Sequence, residues 1–298
     1  MISYGVVVHG GVGSPLALSD GCKKACVSAF RLLKKGESAL EAVIEAARLL
    51  EDDGRYNAGS GSTLRLDGKT VEMDAGLMDS SGHLGTVISV RTVQNPILLA
   101  KGVISTPHVA LSGQGAELFA RKLGLRTFGK PSAKSLEQHR RLLRTIRQGK
   151  LAEHDSRWKD FDIKSLWNFE ERFNDIMGAD TIGAVALDRK GVLAVANSTG
   201  GASPMLLGRV GDSPMIGCGF YAGACAAVAC TGTGEDIIRR MLARSIYDAI
   251  DHGAHVREAC RKGVTSFPCE STLGVIAISK EGCAVVSNRQ MAHYALYR

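Results

Sequence analysis

The stretch Gly178-Ala179-Asp180-Thr181-Ile182-Gly183-Ala184-Val185-Ala186-Leu187-Asp188-Arg189-Lys190-Gly191-Val192-Leu193-Ala194-Val195-Ala196-Asn197-Ser198-Thr199-Gly200-Gly201 decides how the chain reads. Two runs of small apolar residues, 182–187 and 192–196, flank Asp188-Arg189-Lys190-Gly191. A three-residue loop with glycine in the left-handed position is a favoured hairpin closure. With Asp188 facing Val192, counting back along both arms brings Thr181 opposite Thr199 on adjacent antiparallel strands. A hydroxyl therefore stands at the open end of each arm.

The segment before the hairpin, 130–180, is polar and charged, and it ends in Asp180-Thr181 where the apolar strand begins. An exposed segment feeding a strand whose first residue can act as a nucleophile suits self-cleavage. A threonine hydroxyl is a weak nucleophile near neutral pH, but cutting the Asp180–Thr181 bond would give Thr181 an α-amine as its own general base. An α-amine has a reference pKa of about 7.7 to 8.0, so part of it is unprotonated near pH 7. The competing reading is a threonine that merely opens a strand, as threonines do.

Two motifs follow the hairpin: Gly208-Arg209-Val210-Gly211-Asp212-Ser213-Pro214 and Cys230-Thr231-Gly232-Thr233-Gly234-Glu235. Three precede it: His9-Gly10-Gly11-Val12-Gly13, Tyr56-Asn57-Ala58-Gly59-Ser60-Gly61 and Met73-Asp74-Ala75-Gly76-Leu77-Met78-Asp79. With the Asp-Thr junction, the set resembles the plant-type asparaginase and isoaspartyl peptidase family of N-terminal-nucleophile hydrolases. Only 130–180 and the last residues fall outside the resemblance.

That resemblance implies one structural domain with an αββα sandwich fold, cut into an α subunit, 1–180, and a β subunit, 181–298. Its implied reaction is hydrolysis of the side-chain amide of L-asparagine or of a β-aspartyl dipeptide, releasing L-aspartate. Thr181 would be the nucleophile and Thr199 its orienting partner. Thr231 and Gly232 would form the oxyanion hole, since developing negative charge needs fixed donors. Asn57 is carried over as a neighbour of the nucleophile that helps autoprocessing or positions water. Arg209 offers a bidentate fork to the substrate α-carboxylate, and Asp212 suits its α-ammonium; an Arg–Asp pair tying down its own turn is the structural alternative.

In the resembling family the loop at 50–60 coordinates sodium through main-chain oxygens, which suits a hard cation. Carried over by position, these are the carbonyls of Leu50, Glu51, Asp53, Tyr56, Ala58 and Ser60, and the sequence fits an ion-free loop equally well. The chemistry itself implies no cofactor. The implied partners are a small amino acid or dipeptide substrate and a second αβ pair in a homodimer.

Some positions depart from the family pattern. Asp180 stands where glycine usually precedes the nucleophile, a feature shared with glycosylasparaginases and the threonine protease taspase. Met205 and Leu207 replace a common Lys and Pro, and Asn288-Arg289-Gln290-Met291 replaces a common Thr-x-Gly-Met. Leaving-group preference therefore stays open, and a glycosylasparaginase or taspase-like endopeptidase is the alternative enzyme.

Composition sets broader limits. The 298 residues are 45% hydrophobic and 22% charged, enough for one sizeable core. The net charge of +7 raises nucleic acid as a partner. Many basic residues, however, crowd into 121–150, where Arg140, Arg141, Arg144 and Arg147 recur at helical spacing with Leu136, Leu143 and Ile146. Ser135 with Gln138 three residues on predicts the cap of an amphipathic helix with a solvated face, and no interleaved aromatics accompany it. A basic nucleic-acid-binding protein is the non-enzymatic alternative. The eight cysteines show no metal spacing and suit buried thiols in a reducing compartment, Cys218, Cys225, Cys230 and Cys283 lying among small apolar residues. No signal region or membrane-length apolar run occurs in the sequence, so the expectation is cytoplasmic and membrane-free.

Along the chain, Tyr4 to Val8 predicts a strand running into His9-Gly10-Gly11-Val12-Gly13. A dinucleotide fingerprint fails there, because Leu16 stands at the third glycine position. Helices are predicted over 20–35 and 38–51, with Ser38 and Glu41 in capping-box spacing. An Asp67-Gly68 hairpin is predicted between strands 62–66 and 69–73, then a strand at 85–90. Asp74 and Asp79 admit a paired-carboxylate reading, but without a third ligand at metal spacing. Helices at 95–100 and 112–123 follow. His9 and His108 read as satisfied core histidines. The end of the chain predicts one long helix over 234–251 and a hairpin of strands 273–279 and 283–288.

Overall fold

The computed structural model describes residues 1–65, 67–148 and 181–298. Its seven-stranded sheet has the order β11-β1-β5-β6-β2-β3-β4. These strands are β1 (Gly5–Val12), β2 (Met73–Asp79), β3 (Leu84–Val90), β4 (Ala110–Ser112), β5 (Thr181–Leu187), β6 (Leu193–Thr199) and β11 (Met291–Tyr297). A four-stranded sheet runs β10-β9-β8-β7, from β7 (Phe220–Ala222), β8 (Ala226–Gly232), β9 (Leu273–Ser279) and β10 (Cys283–Ser287). All pairings are antiparallel except β3 with β4.

Strand periodicity explains the layers, because alternate side chains leave a sheet on opposite faces. Val6, Val8, Ala184 and Ala196 pack beneath α1 (Ser19–Lys35) and α2 (Ala39–Asp53). Val7, Val185, Leu187, Leu193 and Val195 instead meet Phe220, Ile276 and Ile278 between the sheets. The outer face of the smaller sheet, with Val228, Cys230 and Val275, packs on Ile246 and Cys260. The last two belong to α7 (Leu242–Asp251) and α8 (Val256–Thr265). This is the expected αββα sandwich. Parity along β5 and β6 puts Thr181 and Thr199 on the face between the sheets.

The central hairpin closes as expected: Gly191 is left-handed at φ 82°, and its N–H donates to Asp188 O at 3.0 Å. The Ser38 hydroxyl caps α2, accepting from Glu41 N at 3.2 Å. α3 (Pro96–Ile104), α4 (Gly113–Lys122) and α5 (Ala133–Arg147) complete the first half.

Several expectations need correction. Residues 62–65 and 69–72 are not strands. Asp67 folds back on its own turn, accepting from Lys69 N at 2.9 Å and Thr70 N at 2.8 Å, and these local bonds compete with a ladder. The cap of α5 is Ser132, whose hydroxyl accepts from Ser135 N at 3.1 Å; Ser135 is already inside the helix and donates to Gly61 O. The long terminal helix is broken at Met241, a left-handed residue at φ 47°, into α6 (Gly234–Arg240) and α7. Apolar periodicity runs through Met241 and hides the break. Asp74 and Asp79 sit at opposite ends of β2, so they are no carboxylate pair. His108 is exposed, whereas His9 is fully buried and held near pKa 3, chiefly by desolvation. Cys225 and Cys283 are only partly buried, and all eight cysteines are free thiols. Among the described residues, no helix is long and apolar enough to cross a membrane.

Candidate active site

Thr181 opens β5 and Thr199 closes β6, and the two are direct cross-strand partners. Every step of the ladder from Leu187↔Leu193 outward is regular, so the turn at Asp188 sets the meeting of the two hydroxyls. Thr181 Oγ1 donates to Thr199 Oγ1 at 3.2 Å and shares a second hydrogen bond with Ser213 Oγ at 3.3 Å. Both threonines are buried. Thr199 Oγ1 also accepts from Gly201 N at 3.0 Å, which fixes the chain as it leaves β6. Asp180 lies outside the described residues, as does 149–180 as a whole.

The facing sheet supplies Thr231 at the end of β8. Its hydroxyl reaches Thr181 O at 3.5 Å and accepts from Val12 N at 3.3 Å, tying β8 to β1 and β5. Gly232 follows at φ 139°, and a Cβ there would stand 1.9 Å from Thr272 O, so only glycine fits.

Asn57 sits behind the turn after Thr199. Its Nδ2 donates to Gly201 O at 2.7 Å, and its own carbonyl accepts from Gly200 N at 2.9 Å. Its Oδ1 accepts from Thr63 N at 2.8 Å. These bonds tie Asn57 to the 200–201 turn that follows Thr199 and to Thr63.

Arg209 and Asp212 come to the same end of the sandwich through Ser213, the residue that touches Thr181. Among the bonds of the described residues, none ties Arg209 to Asp212 as a purely structural turn would. Arg209 Nε donates to Glu235 Oε1 at 2.9 Å, and Asp212 Oδ2 is buried with no hydrogen-bond partner among the described residues. A Cβ on Gly234 would lie 2.9 Å from both Arg209 Nη2 and Asp212 Oδ1, which places the two charges over the start of α6. Burial raises the Asp212 pKa to about 7, against the opposing pull of Arg209. A buried carboxylate this poorly satisfied suits a cationic group arriving from outside.

At the loop carried over as a sodium site, α2 ends in residues 50–53, and the last carbonyls of a helix lack intrahelical donors. A Cβ on Gly59 would lie 2.6 Å from Glu51 O, and one on Gly61 would lie 1.9 Å from Tyr56 O. Helix-end and loop carbonyls are therefore packed together, at the negative end of the α2 dipole. Tyr56 O and Ala58 O each accept one N–H among the described residues, and a carbonyl oxygen has two lone pairs. This donor chemistry fits a monovalent cation.

Sequence reasoning missed other parts. Ser213 lay inside a quoted motif but had no assigned role. The Glu51 side chain is fully buried, accepts from Ser198 Oγ at 2.6 Å and Ile97 N at 3.0 Å, and has its pKa raised to about 8 by desolvation. Buried Arg65 and Glu72 fell in a stretch read as an ordinary hairpin, and no local pattern singles them out.

The asparaginase family model matches residues 3–298. The chain belongs to the asparaginase family. It is 36% identical to a plant-type L-asparaginase of Pyrococcus horikoshii, across 93% of this chain and 90% of that protein. It is 37% identical to an isoaspartyl peptidase/L-asparaginase of Rattus norvegicus, over 94% of this chain and 82% of the relative. An isoaspartyl peptidase of Escherichia coli is also 37% identical, with 93% and 87% covered.

Proposed function

We propose that this asparaginase-family protein is an autoprocessed amidohydrolase that cleaves the side-chain amide of L-asparagine and of β-aspartyl dipeptides, releasing L-aspartate. The observation that carries the reading is the Thr181–Thr199 contact at 3.2 Å, joined by Ser213 at 3.3 Å to the turn bearing Asp212 and Arg209. A nucleophile, its orienting hydroxyl and two opposite charges thus share one end of the sandwich.

In this reading, cutting at Asp180–Thr181 frees the Thr181 amine. That amine takes the proton from Oγ1, and the oxygen attacks the substrate's side-chain carbonyl. Ammonia or an amino acid leaves, and water then releases aspartate from the ester. Thr199 holds Oγ1 in line, and Thr231 with the Gly232 amide faces the developing oxyanion. Arg209 takes the α-carboxylate. Asp212 takes the α-ammonium, whose charge favours the ionised carboxylate that burial disfavours. Glu235 Oε1 meets both Nε and Nη2 of Arg209 at 2.9 Å, so a substrate carboxylate would take the Nη1 side of the guanidinium or displace Glu235 from the other.

The carbonyls of Leu50, Glu51, Asp53, Tyr56, Ala58 and Ser60 would hold sodium as a structural ion, stiffening the loop that presents Asn57. Assembly as a homodimer of αβ pairs and residence in a reducing, cytoplasmic compartment belong to the same reading; the eight free thiols support the latter.

The test is mass analysis of the purified protein followed by an assay with β-aspartyl dipeptides and asparagine. Fragments meeting at 180/181, with aspartate released, are expected. An intact chain with full amidase activity would sink the mechanism.

A further inference from the structure

Arg65 is among the largest fully buried side chains among the described residues, an unusual place for a guanidinium. It lies on the irregular segment between Asn57 and β2, and its donors go to three places. Nη1 reaches Thr63 O at 3.2 Å and Gly200 O at 3.0 Å, and Nη2 reaches Glu72 O at 2.7 Å. Nε faces Glu72 Oε2 at 3.3 Å, in an ion pair whose two side chains are 1% and 3% exposed.

Glu72 faces the other way as well. Its Oε2 accepts from Gly208 N at 2.9 Å, and its Oε1 takes Arg91 Nη2 at 2.9 Å from a half-exposed side chain. One end of this pair therefore grips Gly200, the residue after Thr199. The other grips Gly208, the residue before Arg209.

We infer that Arg65 and Glu72 are positioning residues that set the spacing between the catalytic hydroxyl pair and the substrate-binding charges. The segment between the two anchored glycines contains no helix or strand, so no backbone ladder fixes that spacing. A buried ion pair adds little net stability over an apolar substitute but holds geometry strictly, because either charge left alone is costly. A displacement of about 1 Å at a reacting group can cost on the order of a hundredfold in rate. The inference rests on the amidohydrolase reading above.

The two ends give different kinetic signatures. Arg65→Lys keeps the charge beside Glu72, but a single ammonium cannot serve Thr63, Gly200 and Glu72 together. Its kcat should fall by about tenfold or more, because the Gly200 anchor behind Thr199 is lost. Glu72→Leu releases Gly208 and should act mainly on KM for β-aspartyl dipeptide, raising it about tenfold through the Arg209 turn. Glu72→Gln should restore most of that affinity. Its amide oxygen can stay between Arg65 and Gly208 while its NH2 turns to Arg91, which can swing into solvent.

The experiment compares kcat, KM and Tm for these variants as matured, two-fragment proteins beside the wild type. A kcat loss in Arg65→Lys, with a rise in KM in Glu72→Leu that Glu72→Gln repairs, supports the inference. Wild-type kcat and KM in the matured Arg65→Lys and Glu72→Leu proteins overturn it. So does a loss that follows Tm alone and is equal in all three. If Glu72→Leu does not fold, Arg65→Lys decides, and undiminished kcat there overturns the inference. An inactive wild type defeats the proposed function and this inference with it, whereas an active wild type with unmoved variants defeats the inference only.

Discussion

The two ends of the candidate site are built by different physics. Thr181 and Thr199 are held by strand register, seven consecutive residue pairs of one hairpin closed by Gly191. Arg209 and Asp212 are held on irregular chain by side chains: Glu72 on Gly208, Glu235 on Arg209, and little on Asp212, whose Oδ2 has no partner among the described residues. A ladder places groups cheaply and rigidly but spaces them by the pleat. A loop can converge opposite charges on one small ligand, and it needs buried polar contacts to stay there. The nucleophile end should therefore respond to substitution through chemistry, and the recognition end through binding and pH.

The largest expected effect is at Thr181. Thr181→Ala should leave one uncut chain with no amidase turnover, read by mass analysis and aspartate release; wild-type turnover would remove the nucleophile from the ladder. At the recognition end, Arg209→Ala or Asp212→Ala would leave one charged end of the bound substrate without its partner in a buried setting. That loss should be on the order of 3 to 5 kcal/mol in kcat/KM. Either variant, matured and folded, working at the wild-type rate would show that loop charges do not select the substrate.

Thr199→Val sharpens the contrast within the ladder. It keeps the β-branched shape and removes the contact to Oγ1, so turnover by matured protein should fall while the register survives. The structure adds a cost that spacing alone does not show: Gly201 N would lose its acceptor, about 1 to 3 kcal/mol of stability if left unsatisfied. Melting and turnover measured together separate the two. Undiminished turnover would dissolve the partnership of the threonines.

The smallest effect is on stability against pH. Burial lifts Asp212 from 3.8 to about 7, so the native state holds a proton that the unfolded chain has released in that window. The Asp212 contribution is fully present below about pH 4 and is lost as pH rises through about 7. Asp212→Asn should remove this slope, so that its Tm relative to wild type climbs between these limits. Parallel Tm curves would mean that Asp212 is already ionised and satisfied.

Much of this was legible in the sequence because it depends on period and turn chemistry. The hairpin, its register and the Ser38 cap follow from local pattern, while the family resemblance supplies the αββα layers and names Arg209 and Asp212. What stayed hidden depends on distant partners. Arg65, Glu72 and Ser213 gain their meaning from residues brought close only by the fold. The Asp67-Gly68 turn failed as a hairpin because its side chain satisfies the backbone locally. The break at Met241 failed because apolar spacing carries no information about a single left-handed residue.

The strand order of the larger sheet has a further consequence for a chain cut before Thr181. β1, β2, β3 and β4 come from the first fragment, β5, β6 and β11 from the second, and β1 lies between β11 and β5 while β6 pairs with β2. The two polypeptides would be interleaved like fingers of clasped hands, and neither could withdraw without breaking ladders on both of its sides. Dissociation would then be unfolding itself. Renaturation from separated fragments would be second order in protein, although the same fold formed in a single uncut chain is a concentration-independent event.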